Sequence, residues 1–463
     1  MSDKPSRVVI VGWDSAPPDI CFGALASRLP HLSALRERGC WGRLRSSDPP
    51  ITVPAWTCML TSKNPGGLGF YGFRNRRPGG YDTDWIATNA AVKSPRVWDY
   101  LGEAGLSCCA HAVPQTYPVK PINGMLVADF LTPSTDSDFT YPLSLKEELN
   151  RVCNGYQIDV EGFRTDDKAA LLTQIYAVTD KHHLASMYLL DQKPWDFFMS
   201  VEMGCDRLQH GFWKYCDPHH PKYEAGNPFE TCIDDYYIHL DQELGEVVEK
   251  VGPDALVLVV SDHGAKAMQG SLNLNDFLIR EGLLVLKQEV PPKSRLKPDV
   301  IDWSRTRAWA WGGYYARVFL NVAGREPQGT VPAGDYERVR DEVAALIEAI
   351  PDDQGRPMKT RAYRPSELFT GPYVDQAPDL MVYFDELNWR AGQDLNNPEL
   401  YSFDTEIGPD DAVHDYEGIF AMAGPGVASA GQLSGLQLME VAPTVLHHRG
   451  QPVPEGMEGK IVR

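Results

Sequence analysis

The chain has 463 residues, 43% hydrophobic and 23% charged, so it can bury a large core and is not disordered throughout. Its 63 acidic residues outnumber 44 basic ones, and the net charge of −19 excludes a nucleic-acid polymer as a routine partner, because phosphate backbones need a basic footprint. A small anionic substrate stays compatible where cations or local arginines reverse the field inside a pocket.

The opening MSDKPSRVVIVGWD lacks the long apolar stretch of a signal peptide, and no apolar run approaches the length of a membrane span. The expectation is a protein with no membrane partner. Nine cysteines, an odd number without a C-x-x-C, read as reduced thiols in a cytoplasmic protein.

RVVIVGW (7–13) reads as a buried strand and delivers Asp14. DPPITVPAWTCMLTSKNPGG (48–67) then builds a proline-rich turn that holds Thr52 still, with Thr57 one helical turn further on as a structural hydroxyl. GLGFYG (67–72) fits G-x-G-x-x-G in letters but follows SKNPG and not a strand, so dinucleotide binding is set aside. SPRVWDYLGEAG (94–105) reads as a helix. DFFMSVEMG (196–204) is a second buried strand, and DRLQH after it places Asp206 and His210 one helical turn apart. An amphipathic helix over 229–251 leads to DALVLVVS (254–261), a third strand, which delivers Asp262 and His263. The doublets His182–His183, His219–His220 and His447–His448 have no matching carboxylates and read as solvated or helix-surface histidines.

Residues 266–375 change texture, being rich in Pro, Arg, Trp and Gly, and read as an accessory subdomain with one helix near 335–350. Trp309, Trp311, Tyr314 and Tyr315 in it could form an aromatic wall over a site or the subdomain's own core. PDLMVYF (378–384), YEGIFAMAG (416–424) and a helix near 436–448 return to the main unit. The expected fold is α/β, a mainly parallel sheet with helices on both faces, with a core of 1–265 and 376–463 and an insertion of 266–375.

Three apolar strands each ending in a carboxylate would gather Asp14, Asp206 and Asp262 at the edge of a parallel sheet where ligands bind. Clustered carboxylates repel, and cations relieve that repulsion. With His210, His263 and His414 nearby, a mixed His/Asp set fits Zn²⁺ first and Mn²⁺ second.

Taken in order, GWD, TVPAW, DRLQH, SDHG and VHDYEGIF resemble the alkaline phosphatase superfamily, in its type I phosphodiesterase/nucleotide pyrophosphatase branch. The likeness runs from Asp14 to APTVLHHRGQPVPEGMEGK (442–460) and is loose over the insertion. It implies an alkaline phosphatase-like fold and two divalent ions, one held by Asp14, Thr52, Asp262 and His263, the other by Asp206, His210 and His414. It also implies that Thr52 is the nucleophile and passes through a phosphothreonine while cleaving a small phosphate ester, with diesters ahead of monoesters. Phosphonate hydrolysis, phosphoryl transfer and a metal-dead binding module are the alternatives. In the family an asparagine 21 positions past the nucleophile meets a non-bridging oxygen; here Phe73 stands there, so Arg74 and Asn75 become the candidate substrate-binding donors.

Overall fold

A computed structural model describes residues 7–463. Among them, nine strands form the main sheet, and its centre is three parallel strands: β1 (Arg7–Trp13), β2 (Phe197–Glu202) and β3 (Ala255–Val260). β1 lies between the other two, with Trp13 opposite Glu202 and Gly12 opposite Val260. Beyond β2 come Cys108–His111 and Gly124–Val127, both parallel, and then the antiparallel edge Thr140–Tyr141. Beyond β3 comes antiparallel Glu417–Ala423, followed by Cys40–Arg45 and Gly431–Gln437.

β1 shows why helices cover both faces. Its side chains alternate, and Trp13 packs its ring 6.0 Å from that of Tyr237 on the helix Cys232–Val251. Gly12 points the other way, toward α1 (Thr52–Thr61), where an added Cβ would lie 2.6 Å from Trp56. Every residue of β3 is buried, as a strand covered on both faces requires.

The accessory subdomain begins and ends at a two-stranded antiparallel ribbon, β4 (Gly264–Ala267) with β5 (Ala412–Asp415). It has a core of its own around Leu278, Trp309, Val318, Val343 and Leu380. Its principal sheet runs Ala308–Trp311, Ala316–Leu320, Leu380–Tyr383, Arg361–Tyr363, all antiparallel, with the helix Tyr336–Glu348 against it. Here the structure corrects the expected boundary. The strand at 380–383 pairs with 316–320 and not with the main sheet, so the chain returns to the core at β5 and not at 376. An apolar run identifies a buried strand but not the sheet that buries it.

Candidate active site

Because β1, β2 and β3 are parallel neighbours, their C-terminal ends open on one edge. Asp14 and Asp262 leave the strands there, and α2 (Gly204–Cys216) starts there with Asp206 in its first turn. Each of the three buried carboxylates has one oxygen anchored. The Trp56 indole donates to Asp14 Oδ2 at 2.7 Å, the Ser15 amide to Asp262 Oδ1 at 3.1 Å, and the Arg207 guanidinium to Asp206 Oδ2 at 2.9 Å. The other oxygen of each (Asp14 Oδ1, Asp262 Oδ2, Asp206 Oδ1) is buried without a hydrogen bond.

The histidines are oriented in the same manner. Nδ1 of His210 lies 2.7 Å from Asp410 Oδ1, Nδ1 of His414 lies 2.9 Å from the Pro50 carbonyl, and Nδ1 of His263 lies 3.0 Å from the Gly264 carbonyl. An acceptor at Nδ1 places the proton there and leaves the Nε2 lone pair to face inward. Those lone pairs converge. His210 Nε2 is 3.2 Å from both His414 Nε2 and Asp206 Oδ1, and His263 Nε2 is 3.2 Å from Asp262 Oδ2. Two trios result, Asp14–Asp262–His263 and Asp206–His210–His414, each with its donor atoms within 4.8 Å of one another. They abut, since the His263 and His414 rings stack at 3.9 Å.

Buried carboxylate oxygens left without a hydrogen bond are costly unless a cation lies among them, so this donor set fits divalent metal ions. One nitrogen with two carboxylates and two nitrogens with one carboxylate both suit Zn²⁺, while Mn²⁺ is better matched by the oxygen-rich trio. In the metal-free protein the two trios differ electrically. Burial, then the charge of Asp206, holds the Asp14 carboxyl well above the ordinary range, and burial with the charge of Asp14 does the same for Asp262. Burial also opposes ionisation of Asp206, but His210 and Arg207 outweigh it and its carboxyl falls far below the usual value. His210 is pushed up to about 9, Asp410 and Asp206 overcoming its burial.

Thr52 opens α1, with its hydroxyl 3.4 Å from His263 Nε2. Val53 breaks the helical path (φ −109°, ψ 108°), so the threonine stands apart from the regular helix behind it. A cavity of about 410 Å³ lies over the site, lined by Thr52, Asp206, His210 and His414 together with Phe73, Arg74 and Tyr314. The Tyr314 ring stacks on His414 at 4.3 Å and on His210 at 4.9 Å, and its hydroxyl reaches Asp410 Oδ2 at 3.0 Å.

The other predicted residues separate. Thr57 donates to Gln115 Oε1 at 2.5 Å and is buried. Arg74 is exposed at the cavity rim and pairs with Asp84 at 2.8 Å. Asn75 does not line the cavity over the trios: it is buried, accepting from the Tyr71 amide at 2.7 Å and donating to the Gly72 carbonyl at 2.8 Å, and it lines a neighbouring cavity instead. Of the four aromatics singled out, Tyr314 reaches the histidines while Trp309 is subdomain core. His182 and His220 are also corrected, being buried and bonded to the Gln157 and Asp411 carbonyls. Asp410 and Arg164 act on the site without any motif to mark them, and Trp56 does so from within TVPAW. Arg164 donates to the Tyr314 hydroxyl at 3.0 Å and pairs with Asp410 at 3.3 Å.

A mainly parallel sheet that presents two abutting His/Asp trios beside a buried threonine at its strand ends defines the alkaline phosphatase-like class, hydrolases of phosphoric esters. The profile of the type I phosphodiesterase / nucleotide pyrophosphatase family matches residues 8–410, and the chain belongs to that family. Among solved structures it is similar to murine ectonucleotide pyrophosphatase/phosphodiesterase 5, as an inactive variant in complex with AMP (TM-score 0.58, 13% identity, covering 97% of this chain and 96% of that one). It is also similar to phosphonoacetate hydrolase from Sinorhizobium meliloti 1021 in complex with phosphonoacetate (TM-score 0.59, 16% identity, 96% of each chain). At these identities the likeness is one of fold. Curated proteins give no significant sequence match. Among the described residues no helix is long and apolar enough to cross a membrane.

Proposed function

We propose that the chain is a two-metal phosphodiesterase in which Thr52 is the nucleophile. The observation that carries this reading is the Thr52 hydroxyl, which shares a cavity wall with Asp206, His210 and His414 and lies 3.4 Å from His263 Nε2 of the abutting trio. Asp14, Asp262, His263 and Thr52 would hold one cation and Asp206, His210 and His414 the other. Such ions, Zn²⁺ before Mn²⁺, supply Lewis acidity that favours alkoxide forms and balances phosphoryl charge.

Thr52 Oγ1 forms the bond to phosphorus while the bond to the departing alkoxide breaks. The proton lost from Thr52 is matched by one taken up by the leaving alcohol. Water then attacks the phosphothreonine and restores the hydroxyl. Trp56 and the Ser15 amide hold the carboxylates of the first trio, and Asp410 and the Pro50 carbonyl hold the imidazoles of the second, so little reorganises during the reaction. Arg74, at the rim, is the proposed donor to a non-bridging oxygen. A small phosphate ester fits a cavity of about 410 Å³, and a nucleic-acid polymer does not fit the chain's charge. All nine cysteines are free thiols, which supports a reducing, cytoplasmic setting.

The test is a panel of 4-nitrophenyl phosphate diesters, monoesters and aryl phosphonates, assayed with Zn²⁺ and with Mn²⁺ alongside elemental analysis. Diesters turned over fastest, with about two metal equivalents per chain, is the expected result. Faster cleavage of monoesters or phosphonates would move the assignment within the superfamily, and no metal with no turnover would leave only a binding module.

A further inference from the structure

A second cavity, of about 540 Å³, adjoins the first. Arg74 and Arg317 line both, so the two spaces share a wall. The charge of the second is unexpected for this chain. Five basic residues (Arg74, Arg76, Arg77, Lys93 and Arg317) and no acidic residue line it, in a protein whose net charge is −19.

Two of these cations are neutralised from outside the lining, Arg74 by Asp84 and the buried Arg76 by Glu326. Among the described residues Arg77, Lys93 and Arg317 have no carboxylate partner. Arg317 is held in place, donating to the Arg74 and Gly312 carbonyls and lying 5.5 Å from the Trp311 ring, while its Nε is buried without a hydrogen bond. Like charges gathered without counter-charge repel one another, and an anion in the cavity removes that cost. Guanidinium groups suit phosphate oxygens in particular.

We infer that this cavity is a second anion subsite of the enzyme, which takes a phosphate-bearing arm of a diester whose scissile phosphorus lies at Thr52. The inference rests on the phosphodiesterase reading above and narrows its substrate class to diesters that carry a further phosphate. The shared Arg74–Arg317 wall argues for an arm of the substrate over a separate effector.

The metal-loaded enzyme provides the test, with Arg77→Ala/Lys93→Ala as the variant, since both side chains are exposed and line only the second of the two cavities. Calorimetric titration with inorganic pyrophosphate should show two binding events in the wild type. The double variant should lose one of them, and Asp206→Asn the other. Two 4-nitrophenyl alkyl diesters with arms of equal length, one ending in phosphate and one in hydroxyl, then read the subsite kinetically. The wild type should prefer the phosphate-ended diester by roughly tenfold in kcat/KM, mostly through KM, the scale of one well-made charged contact. That preference should fall to about one in the double variant, and Arg77→Lys/Lys93→Arg should restore most of it. A single pyrophosphate event, or two events with a substrate preference that the double variant leaves unchanged, overturns the subsite while the hydrolase stands. Absence of turnover with both diesters in the wild type overturns the hydrolase reading and the subsite with it.

Discussion

The two trios occupy one sheet edge yet are built on different principles. Asp14, Asp262 and His263 come entirely from strand ends of the parallel sheet, and their two carboxylates face each other with no arginine between them. Asp206, His210 and His414 come from a helix start and from the ribbon at the neck of the insertion, and Arg207, Asp410 and Arg164 surround them. In the metal-free protein the first trio therefore resists ionisation, whereas the second is already neutralised by its neighbours. A cation is the natural counter-charge of the first trio. In the second it has to compete with groups the protein supplies itself.

The largest expected effect tests where the trios meet. Thr52→Ala should lower kcat by more than about 10³-fold with the melting temperature almost unchanged, because it removes the attacking hydroxyl and little core. Thr57→Ala should retain activity to within roughly threefold in kcat, as a hydroxyl bonded to Gln115 and turned from the trios has no part in the chemistry. A reversed pair of results would reassign the nucleophile.

Metal content separates the trios next. His210→Ala and His414→Ala should each lose about one equivalent, and the double variant scarcely more, because the residues act as one unit. Loss of two equivalents in the double variant would mean that the two histidines serve different ions.

The pH dependence of the metal-free protein should then differ by trio. Asp14 and Asp262 have folded-state values above their unfolded ones, so the fold binds more protons there than the unfolded chain. Their contribution to stability falls as pH rises from the ordinary carboxylate range through the raised folded values, and Asp14→Asn should flatten that fall. His210 has a folded value of about 9, so its contribution is complete below the ordinary histidine value and is lost as pH rises through about 9. Thermal melts of metal-free wild type, Asp14→Asn and His210→Ala between pH 4.5 and 9.5 would show both limbs. A curve unmoved by either substitution would contradict the contrast.

The smallest effects belong to the supports. Trp56→Phe removes the donor to Asp14 and Asp410→Asn the acceptor for His210, and each should weaken Zn²⁺ binding by about tenfold, the lower end for such partners. Competition with a chromophoric chelator would measure it.

How much of this was legible in the sequence follows from how each residue is held. Asp14 and Asp262 could be placed because a buried parallel strand is an apolar run that ends within two residues of them, and Asp206 because D-x-x-x-H sets it one helical turn from His210. Asp410 and Arg164 could not, since tertiary contacts bring them to His210 and Tyr314 and leave no local spacing, and for Tyr314 the sequence left site wall and subdomain core open. Asn75 bonds its own turn, a local use that sequence does not distinguish from that of an available donor. The strand 380–383 misled for a related reason: hydrophobicity reports burial and is silent about the partner. His182 and His220 were misjudged because their partners, the Gln157 and Asp411 carbonyls and, for His182, Glu202 at 3.4 Å, lie too far along the chain to leave a local motif.

The ribbon at the neck has a consequence for how such an enzyme can diversify. Ala265 lies opposite His414, and the two strands hold this pairing whatever the intervening chain does. Side chains alternate along a strand, so a slip of one residue would turn His414 away from the trio and offer Val413 or Asp415 in its place. Parity at the neck is thus one rule the insertion obeys, beside keeping Tyr314 and Asp410 against the histidines. Within these limits the accessory subdomain can lengthen or shrink, altering what the enzyme recognises while the sixth inward-facing ligand returns to the same place.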